Sequence, residues 1–153
     1  ARSFMPSDQR QREHVASMKL IPIPGLIKDR RLVFCDDSIV RGTTSGQIVG
    51  LLREAGAAEV HMRISSPPFL NPCYYGTDID SRENLIACNH TIDEIAKMIN
   101  ADSLGFLPIE ELKELIGCDE YCSACFSGEY PTSVPQNTTK DRFEKKLSER
   151  RRG

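Results

Sequence analysis

Two adjacent carboxylates follow a short apolar run and precede a turn rich in glycine and hydroxyl residues. In the stretch LVFCDDSIVRGTTS, Asp36 and Asp37 come directly after LVFC, and Gly42, Thr43 and Thr44 follow a few positions later. Paired carboxylates suit a divalent cation or the hydroxyl groups of a sugar. A glycine that leads into a helix offers backbone N–H groups to a phosphate. The pattern therefore indicates a ligand with a phosphate at one end and hydroxyls or a divalent cation at the other, as in a phosphorylated sugar with Mg²⁺.

The same residues have a purely structural interpretation. In that case the acid pair, Asp36 and Asp37, caps a strand–helix turn and faces solvent. Turn chemistry alone does not decide between the ligand-binding and the structural interpretation. Two familiar nucleotide motifs are excluded. No lysine follows the glycine as in a Walker A loop, and the turn has only one of the glycines of a dinucleotide fingerprint.

The elements around this turn predict an α/β fold with a parallel sheet. LVFC, 32–35, is apolar without interruption, which favours a strand buried on both faces. Apolar spacing over 43–55 predicts a helix with Gly56 as its C-cap, and 59–66 is a second strand. A strand, a helix and a strand in this order form a βαβ unit with a right-handed crossover. Ligands bind at the carboxyl ends of such strands, which is where the acid pair falls.

Other segments have their own signals. Two prolines in MKLIPIPG, 18–25, exclude a helix there and predict an extended segment. Thr91 and Glu94 form a capping box at the start of a helix. The remaining predicted elements are a loop at 67–78, the capped helix to residue 99, a strand at 103–107 and a helix at 109–116 closed by Gly117.

Composition limits the class of protein. The chain has 153 residues, enough for one domain, and 20 Lys and Arg against 22 Asp and Glu give a net charge of −2. This charge gives no reason to expect nucleic acid or a membrane surface as a partner. No apolar run approaches the length of a membrane span, and the first residues lack the apolar core of a signal peptide, so we expect neither. Six cysteines in this setting indicate thiols or metal ligands in a cytoplasmic protein.

Spacing and position give an interpretation for four of the six cysteines. Cys122 and Cys125 form a C-x-x-C motif, whose spacing lets two thiolates reach one metal. A redox pair or two buried thiols would have the same spacing. Cys35 in the apolar strand and Cys88 in a helical stretch are predicted to be buried structural thiols.

The stretch LVFCDDSIVRGTTS resembles the phosphoribosyl pyrophosphate (PRPP) signature of the type I phosphoribosyltransferases. LLREAGAAEVHMRISSPPFLNPCYYGTD, which follows, is similar to the glutamine-dependent branch of that family, and the resemblance runs from about residue 2 to 131. It implies the type I phosphoribosyltransferase fold, a parallel sheet flanked by helices, with its N-terminal part missing. It also implies PRPP and Mg²⁺ as ligands, with Mg²⁺ on the acid pair. The implied PRPP-binding residues are Asp36, Asp37, Ser38, Arg41, Gly42, Thr43, Thr44 and Ser45.

The resemblance also implies an activity. Enzymes of that branch convert PRPP, glutamine and water to 5-phosphoribosylamine, glutamate and pyrophosphate, the first step of de novo purine synthesis. Ammonia comes from a glutaminase domain that nothing here matches, so no catalytic residue is assigned and the chain alone is expected to be inactive. A homo-oligomer is implied as well. Two alternatives stay open: a phosphoribosyltransferase that uses a nucleobase, and a non-catalytic PRPP-binding regulatory module.

Within the family, the iron–sulfur branch implies a [4Fe–4S] cluster on Cys73, Cys122 and Cys125. The fourth ligand in that branch lies upstream of this sequence, and Cys118 is the candidate substitute. Zinc also accepts thiolates, so ligand type alone leaves the metal open.

The resemblance orders the chain into four parts, and we expect it to be the C-terminal part of a longer protein. The four parts are an active-site loop remnant at 1–17, the C-terminal portion of the transferase domain at 18–117, a cysteine-bearing segment at 118–139 and a charged tail at 140–153.

Overall fold

The computed structural model describes residues 20–77, 79, 81–118 and 120–134. The predicted loop remnant at 1–17 and charged tail at 140–153 lie outside these residues. In the described part of the chain, no helix is long and apolar enough to cross a membrane. The elements are α1 (Pro24–Ile27), β1 (Arg31–Asp36), α2 (Thr43–Glu54), β2 (Glu59–Ile64), a 3₁₀ turn (Arg82–Asn84), α3 (Ile86–Asn89), α4 (Ile92–Met98), β3 (Ser103–Phe106), α5 (Ile109–Ile116) and α6 (Ala124–Ser127).

The strands form a three-stranded parallel sheet in the order β1-β2-β3. β1 pairs with β2 from Arg31 opposite Glu59 to Asp36 opposite Ile64. Because the strands are parallel, their carboxyl ends meet at one edge, and β1 ends there with the first residue of the acid pair. The predicted parallel α/β sheet is confirmed.

A hydrophobic core lies between one face of this sheet and helices α2 and α4. Alternate strand residues point into it, as the pleat of a strand requires. Each fully buried aliphatic side chain of this kind contributes about 1.5–3 kcal/mol of transfer free energy. The buried members are Ile39, Val49, Val60, Met62, Ile64, Ile86, Ile95 and Ile99.

A second, smaller hydrophobic cluster joins the loop after β2 to α6. Its buried residues are Phe69, Ile79 and Leu85. The rings of Phe69 and Phe126 lie 4.9 Å apart between centroids. Because Phe126 belongs to α6, this cluster fixes the C-terminal cysteine-bearing segment against the rest of the fold. The side chains packed around it are Val40, Cys73, Cys88, Cys125 and Phe126.

The other face of β1 is not covered in the described residues, and the prediction of a strand buried on both faces is wrong there. Val33 is 65% exposed, and Cys35 is exposed rather than buried. In the described sheet β1 is an edge strand, and the described helices that contact the sheet, α2 and α4, lie on its opposite face. Four consecutive apolar residues cannot show which faces of a strand have neighbours. Cys88 is partly buried, and its thiol donates to the Leu70 carbonyl at 3.2 Å.

The proline-rich segment differs from its prediction in one respect. Residues 20–23 carry no helix or strand, but Pro24 begins the short helix α1, and Lys28 N–H donates to the Pro24 carbonyl at 2.8 Å. Proline is favoured at the first helical position, where no N–H is needed and its fixed φ suits a helix. The inference that both prolines exclude a helix is therefore wrong for Pro24.

The predicted helix boundaries are confirmed where capping chemistry defines them. Glu94 N–H donates to Thr91 Oγ1 at 3.3 Å, and Thr91 N–H donates to the Glu94 carboxylate at 2.8 Å, which completes the capping box. Gly56 and Gly117 take left-handed φ values of 93° and 72° just beyond α2 and α5. Glycine tolerates this conformation without a Cβ penalty.

Candidate functional site

The acid pair lies at the carboxyl end of β1 and opens a segment that we call the ligand turn, residues 36–45. Asp37 N–H donates to Asp36 Oδ1 at 3.0 Å, and Ser38 Oγ donates to Asp37 Oδ1 at 2.9 Å. Asp36 is half-buried and Asp37 is exposed. The two carboxylates therefore stand side by side at the sheet edge, with Asp37 open to a ligand.

Ser65, which sequence reasoning missed, fixes the start of this turn. Its N–H and its Oγ both donate to the Asp36 carbonyl, at 3.0 and 3.2 Å. Ser65 directly follows β2, whose last residue, Ile64, lies opposite Asp36. Pairing the two predicted strands residue by residue would have placed Ser65 next to Asp36.

The electrostatic environment of Asp36 favours a cation. Partial burial raises the pKa of Asp36, and the neighbouring charge of Asp37 raises it further, while the hydrogen bond from Asp37 N–H opposes them. A carboxylate that is costly to ionise beside a second carboxylate is stabilised by a nearby positive charge. Oxygen ligands of this type are the ones that Mg²⁺ prefers.

The far end of the ligand turn leads into the N-terminus of α2. Gly42 has a left-handed φ of 79° and stands at the N-cap of α2 without a side-chain capping bond. Gly46 N–H donates to the Gly42 carbonyl at 2.9 Å. Helix geometry leaves the N–H groups of Thr44 and Ser45 without intrahelical partners, at the positive end of the helix dipole. Arg41, exposed, lies directly before Gly42.

Two surface cavities lie elsewhere in the described part of the chain, and the acid pair lines neither. One, of about 410 Å³, lies beside the ends of β2 and β3 and is lined in part by Arg63, Ser65 and Glu111. The other, of about 500 Å³, lies between α5 and the cysteine-bearing segment, with Cys122 and Tyr130 in its wall.

Two of the predicted cluster cysteines pack on the same hydrophobic cluster. Cys73 lies in the loop after β2, and Cys125 lies in α6. The backbone carbonyl of Cys125 accepts hydrogen bonds from Leu70 N–H and Asn71 N–H, at 3.0 Å each. Burial works against ionisation of Cys73, but hydrogen bonds from the N–H groups of residues 75–77 and from the Thr77 side chain leave its pKa lowered. Donors aimed at a sulfur stabilise a thiolate, the form that binds metals.

The third cysteine is close enough to interact with them. Burial raises the pKa of Cys125, and the thiols of Cys73 and Cys122 raise it further. Within the described residues, however, no group of three or more His, Cys, Asp or Glu side chains is arranged to hold a single metal ion. Cys118 is exposed. The structure therefore packs Cys73 and Cys125 on one cluster, with Cys122 three residues before Cys125, but forms no metal-holding group among the described residues.

Comparison with known proteins gives a consistent result, although no family model matches the chain. It is 52% identical over 136 residues to the amidophosphoribosyltransferase of Synechocystis sp., a match that covers 88% of this chain and 28% of that protein. It is 49% identical over 144 residues to the amidophosphoribosyltransferase of Bacillus subtilis, covering 90% of this chain and 30% of that protein. The chain therefore spans less than a third of the length of these relatives.

Comparison with solved structures gives the same kind of protein as the sequence comparison. Glutamine PRPP amidotransferase from Bacillus subtilis, complexed with ADP and GMP, matches with a TM-score of 0.69 and 44% identity, over 91% of this chain and 32% of that chain. A structure described as the allosteric regulatory enzyme of purine biosynthesis matches with a TM-score of 0.70 and 45% identity, over 91% of this chain and 31% of that chain. The predicted type I phosphoribosyltransferase fold is confirmed.

Proposed function

We infer that this chain, a homologue of amidophosphoribosyltransferases over most of its own length, is the PRPP-binding part of such an enzyme. The activity would convert PRPP, glutamine and water to 5-phosphoribosylamine, glutamate and pyrophosphate, at the start of purine synthesis. The observation that carries the proposal is the ligand turn, with paired carboxylates at one end and an uncapped helix N-terminus at the other. A transferase acting on a nucleobase and a purely regulatory module are not favoured, because the relatives are amidophosphoribosyltransferases.

In this proposal the acid pair binds the ribose ring of PRPP. Asp37, exposed and oriented by Ser38, accepts hydrogen bonds from the 2′- and 3′-hydroxyls. Asp36 and Asp37 together provide the oxygen ligands for Mg²⁺, and the pKa shift of Asp36 gives the reason why a cation is favoured there. When bound, Mg²⁺ neutralises negative charge on PRPP.

The helix end of the ligand turn binds the 5′-phosphate. The N–H groups of Thr44 and Ser45 point along the axis of α2 toward its positive end. Gly42 supplies the left-handed φ of 79° at which the chain turns into α2, a conformation that glycine tolerates without a Cβ penalty. Hydroxyls of Thr43 and Thr44 and the guanidinium of Arg41 complete the cradle.

The chemistry needs positioning more than acid–base catalysis from this chain. Ammonia displaces pyrophosphate at C1 of the ribose through a transition state with oxocarbenium character. A sugar held at its hydroxyls and at its phosphate presents C1 in a fixed orientation, and such positioning supplies several kcal/mol of the barrier reduction. The chain's residues hold the sugar. We assign the supply of ammonia from glutamine, and assembly into a homo-oligomer, to the whole enzyme.

We also propose that Cys73, Cys122 and Cys125 are ligands of a [4Fe–4S] cluster. Support comes from the thiolate-stabilising hydrogen bonds to Cys73 and from the proximity of the three thiols. Cysteine thiolates are the ligands by which proteins hold iron–sulfur clusters, and these three residues would supply three of them. It would fasten α6 to the loop that carries Cys73. A cytoplasmic location belongs to the same proposal, because all six cysteines are unpaired.

A chimera tests the activity. Residues 2–131 replace the matching segment of the Bacillus subtilis amidophosphoribosyltransferase, and ammonia-dependent release of pyrophosphate from PRPP is measured. We expect activity within about tenfold of the parent enzyme and a nearly inactive Asp37→Ala chimera, since a lost charge-assisted contact costs about 1.5–3 kcal/mol per bond. A folded but inactive chimera, or full activity in the Asp37→Ala form, would contradict the proposal.

A further inference from the structure

The ligand turn and the cysteine-bearing segment pack on the same hydrophobic cluster. Val40, between the acid pair and Gly42, packs on the cluster formed by Phe69, Ile79 and Leu85. Phe126 of α6 packs on the same cluster, with its ring 4.9 Å from that of Phe69. Two segments far apart in sequence are thus joined through one set of buried side chains.

Backbone contacts hold the turn against the same region. Ile86 N–H, next to Leu85, donates to the Val40 carbonyl at 2.9 Å. A Cβ placed on Gly42 would lie 2.7 Å from Ile86 Cδ1, so the turn backbone already lies close against that side chain. The carbonyl of Val40 is therefore held by Ile86, and its side chain by the cluster that contains Leu85.

We propose that Val40 is a positioning residue through which α6 holds the ligand turn in its binding conformation. This rests on the proposed function, because the property controlled is affinity for PRPP. Val40 touches no ligand itself. Its side chain transmits the position of Phe126, through Phe69 and Leu85, to the backbone between the acid pair and the phosphate cradle.

The physical reason is close packing. Protein interiors have few voids, so a missing ring at Phe126 lets the cluster relax and removes support under Val40. Hydrogen bonds to a phosphate weaken when donors move by a few tenths of an ångström. Val40 and Phe126 share the same packing partners, and side chains that share partners are the ones whose mutational effects are not additive.

A double-mutant cycle on the 153-residue chain tests this. The dissociation constant of Mg·PRPP is measured by calorimetry for wild type, Val40→Ala, Phe126→Ala and the double variant, below every melting temperature. We expect each single change to weaken binding about threefold to tenfold, and the double variant to bind at least about threefold more tightly than the product of the two effects predicts. Val40→Ile should bind within about twofold of wild type.

Val60→Ala is the matched control, since Val60 is buried in the other cluster. Its effect should multiply with that of Phe126→Ala. Val40→Thr, which places a hydroxyl against the apolar cluster without leaving a cavity, repeats the cycle if Val40→Ala does not fold. Multiplicative effects of Val40 and Phe126 changes in a chain that binds Mg·PRPP would overturn the inference. Absence of Mg·PRPP binding by the folded wild-type chain would instead contradict the proposed function.

Discussion

Replacing Gly42 with alanine perturbs the ligand turn at the point where the structure leaves least freedom. Gly42 has a φ of 79°, in the left-handed region that L residues avoid. A Cβ there would lie 2.7 Å from Ile86 Cδ1 and 3.6 Å from Ile99 Cγ2. Ile86 and Ile99 are both buried in the main core, so the nearer methyl group has little room to move.

The expected magnitude has two parts. An L residue held in the left-handed conformation costs about 1–2 kcal/mol. Forcing a methyl group into a packed core costs about 1–3 kcal/mol. We therefore expect Gly42→Ala to lower the free energy of unfolding by about 2–5 kcal/mol, a large share of the ~5–15 kcal/mol available to a domain. The alternative for the molecule is to move the turn, which would weaken Mg·PRPP binding.

The assay is urea unfolding followed by circular dichroism, with Gly50→Ala as the matched control. Gly50 lies in the interior of α2, and a Cβ there meets nothing within 4 Å. Alanine at such a site should raise the free energy of unfolding by about 0.5–1 kcal/mol. The two glycine changes thus have opposite predicted signs. Equal stability of Gly42→Ala and wild type, with unchanged Mg·PRPP affinity, would refute the reasoning.

Three further predictions concern other parts of the chain. Thr91→Ala removes the N-cap of α4 and should cost about 1 kcal/mol in urea unfolding, and no loss would argue against the capping box. The hydrogen bond from Val60 N–H lowers the pKa of Asp102, burial opposes this, and Arg53 lowers the pKa further. The ionised Asp102 therefore stabilises the fold above the ordinary carboxyl pKa, and this stabilisation is lost as the pH falls through the lowered pKa. Asp102→Asn should therefore lower the melting temperature at pH 7 and converge with wild type in strong acid, whereas a pH-independent difference would contradict this. The chain reconstituted anaerobically with iron and sulfide should be brown and contain about four irons per chain, and the Cys73→Ser variant should lose most of this iron. Stoichiometric zinc in the wild-type chain would count against the cluster.

Local signals in the sequence were enough for most of the fold. The capping box at Thr91 and Glu94 and the left-handed glycines at 56 and 117 act through neighbouring backbone, so they define helix ends without tertiary information. The alternation of strand, helix and strand was sufficient for a parallel sheet. Apart from the short helix that begins at Pro24, what failed depended on neighbours distant in sequence. The exposure of Val33 reflects which faces of the sheet are covered, and an apolar run carries no such information.

The candidate site divides in the same way. The acid pair and Gly42 are contiguous in sequence and were identified from their order. Ser65 contacts Asp36 only because β1 and β2 pair in one register, and Val40 packs on the cluster that contains Leu85 only in the folded chain. Single-sequence reasoning identified the residues proposed to touch the ligand and missed those that hold them in place.

Binding of Mg·PRPP to the wild-type chain and to Asp37→Asn, measured by titration calorimetry, tests the role of the acid pair most directly. Asp29→Asn is the control, because Asp29 is an exposed carboxylate just before β1, at the end of the strand opposite the ligand turn. We predict Mg²⁺-dependent binding to wild type and to Asp29→Asn, and affinity about tenfold to a hundredfold weaker in Asp37→Asn. Equal affinity in a folded Asp37→Asn variant would contradict the assignment of this turn as the PRPP site.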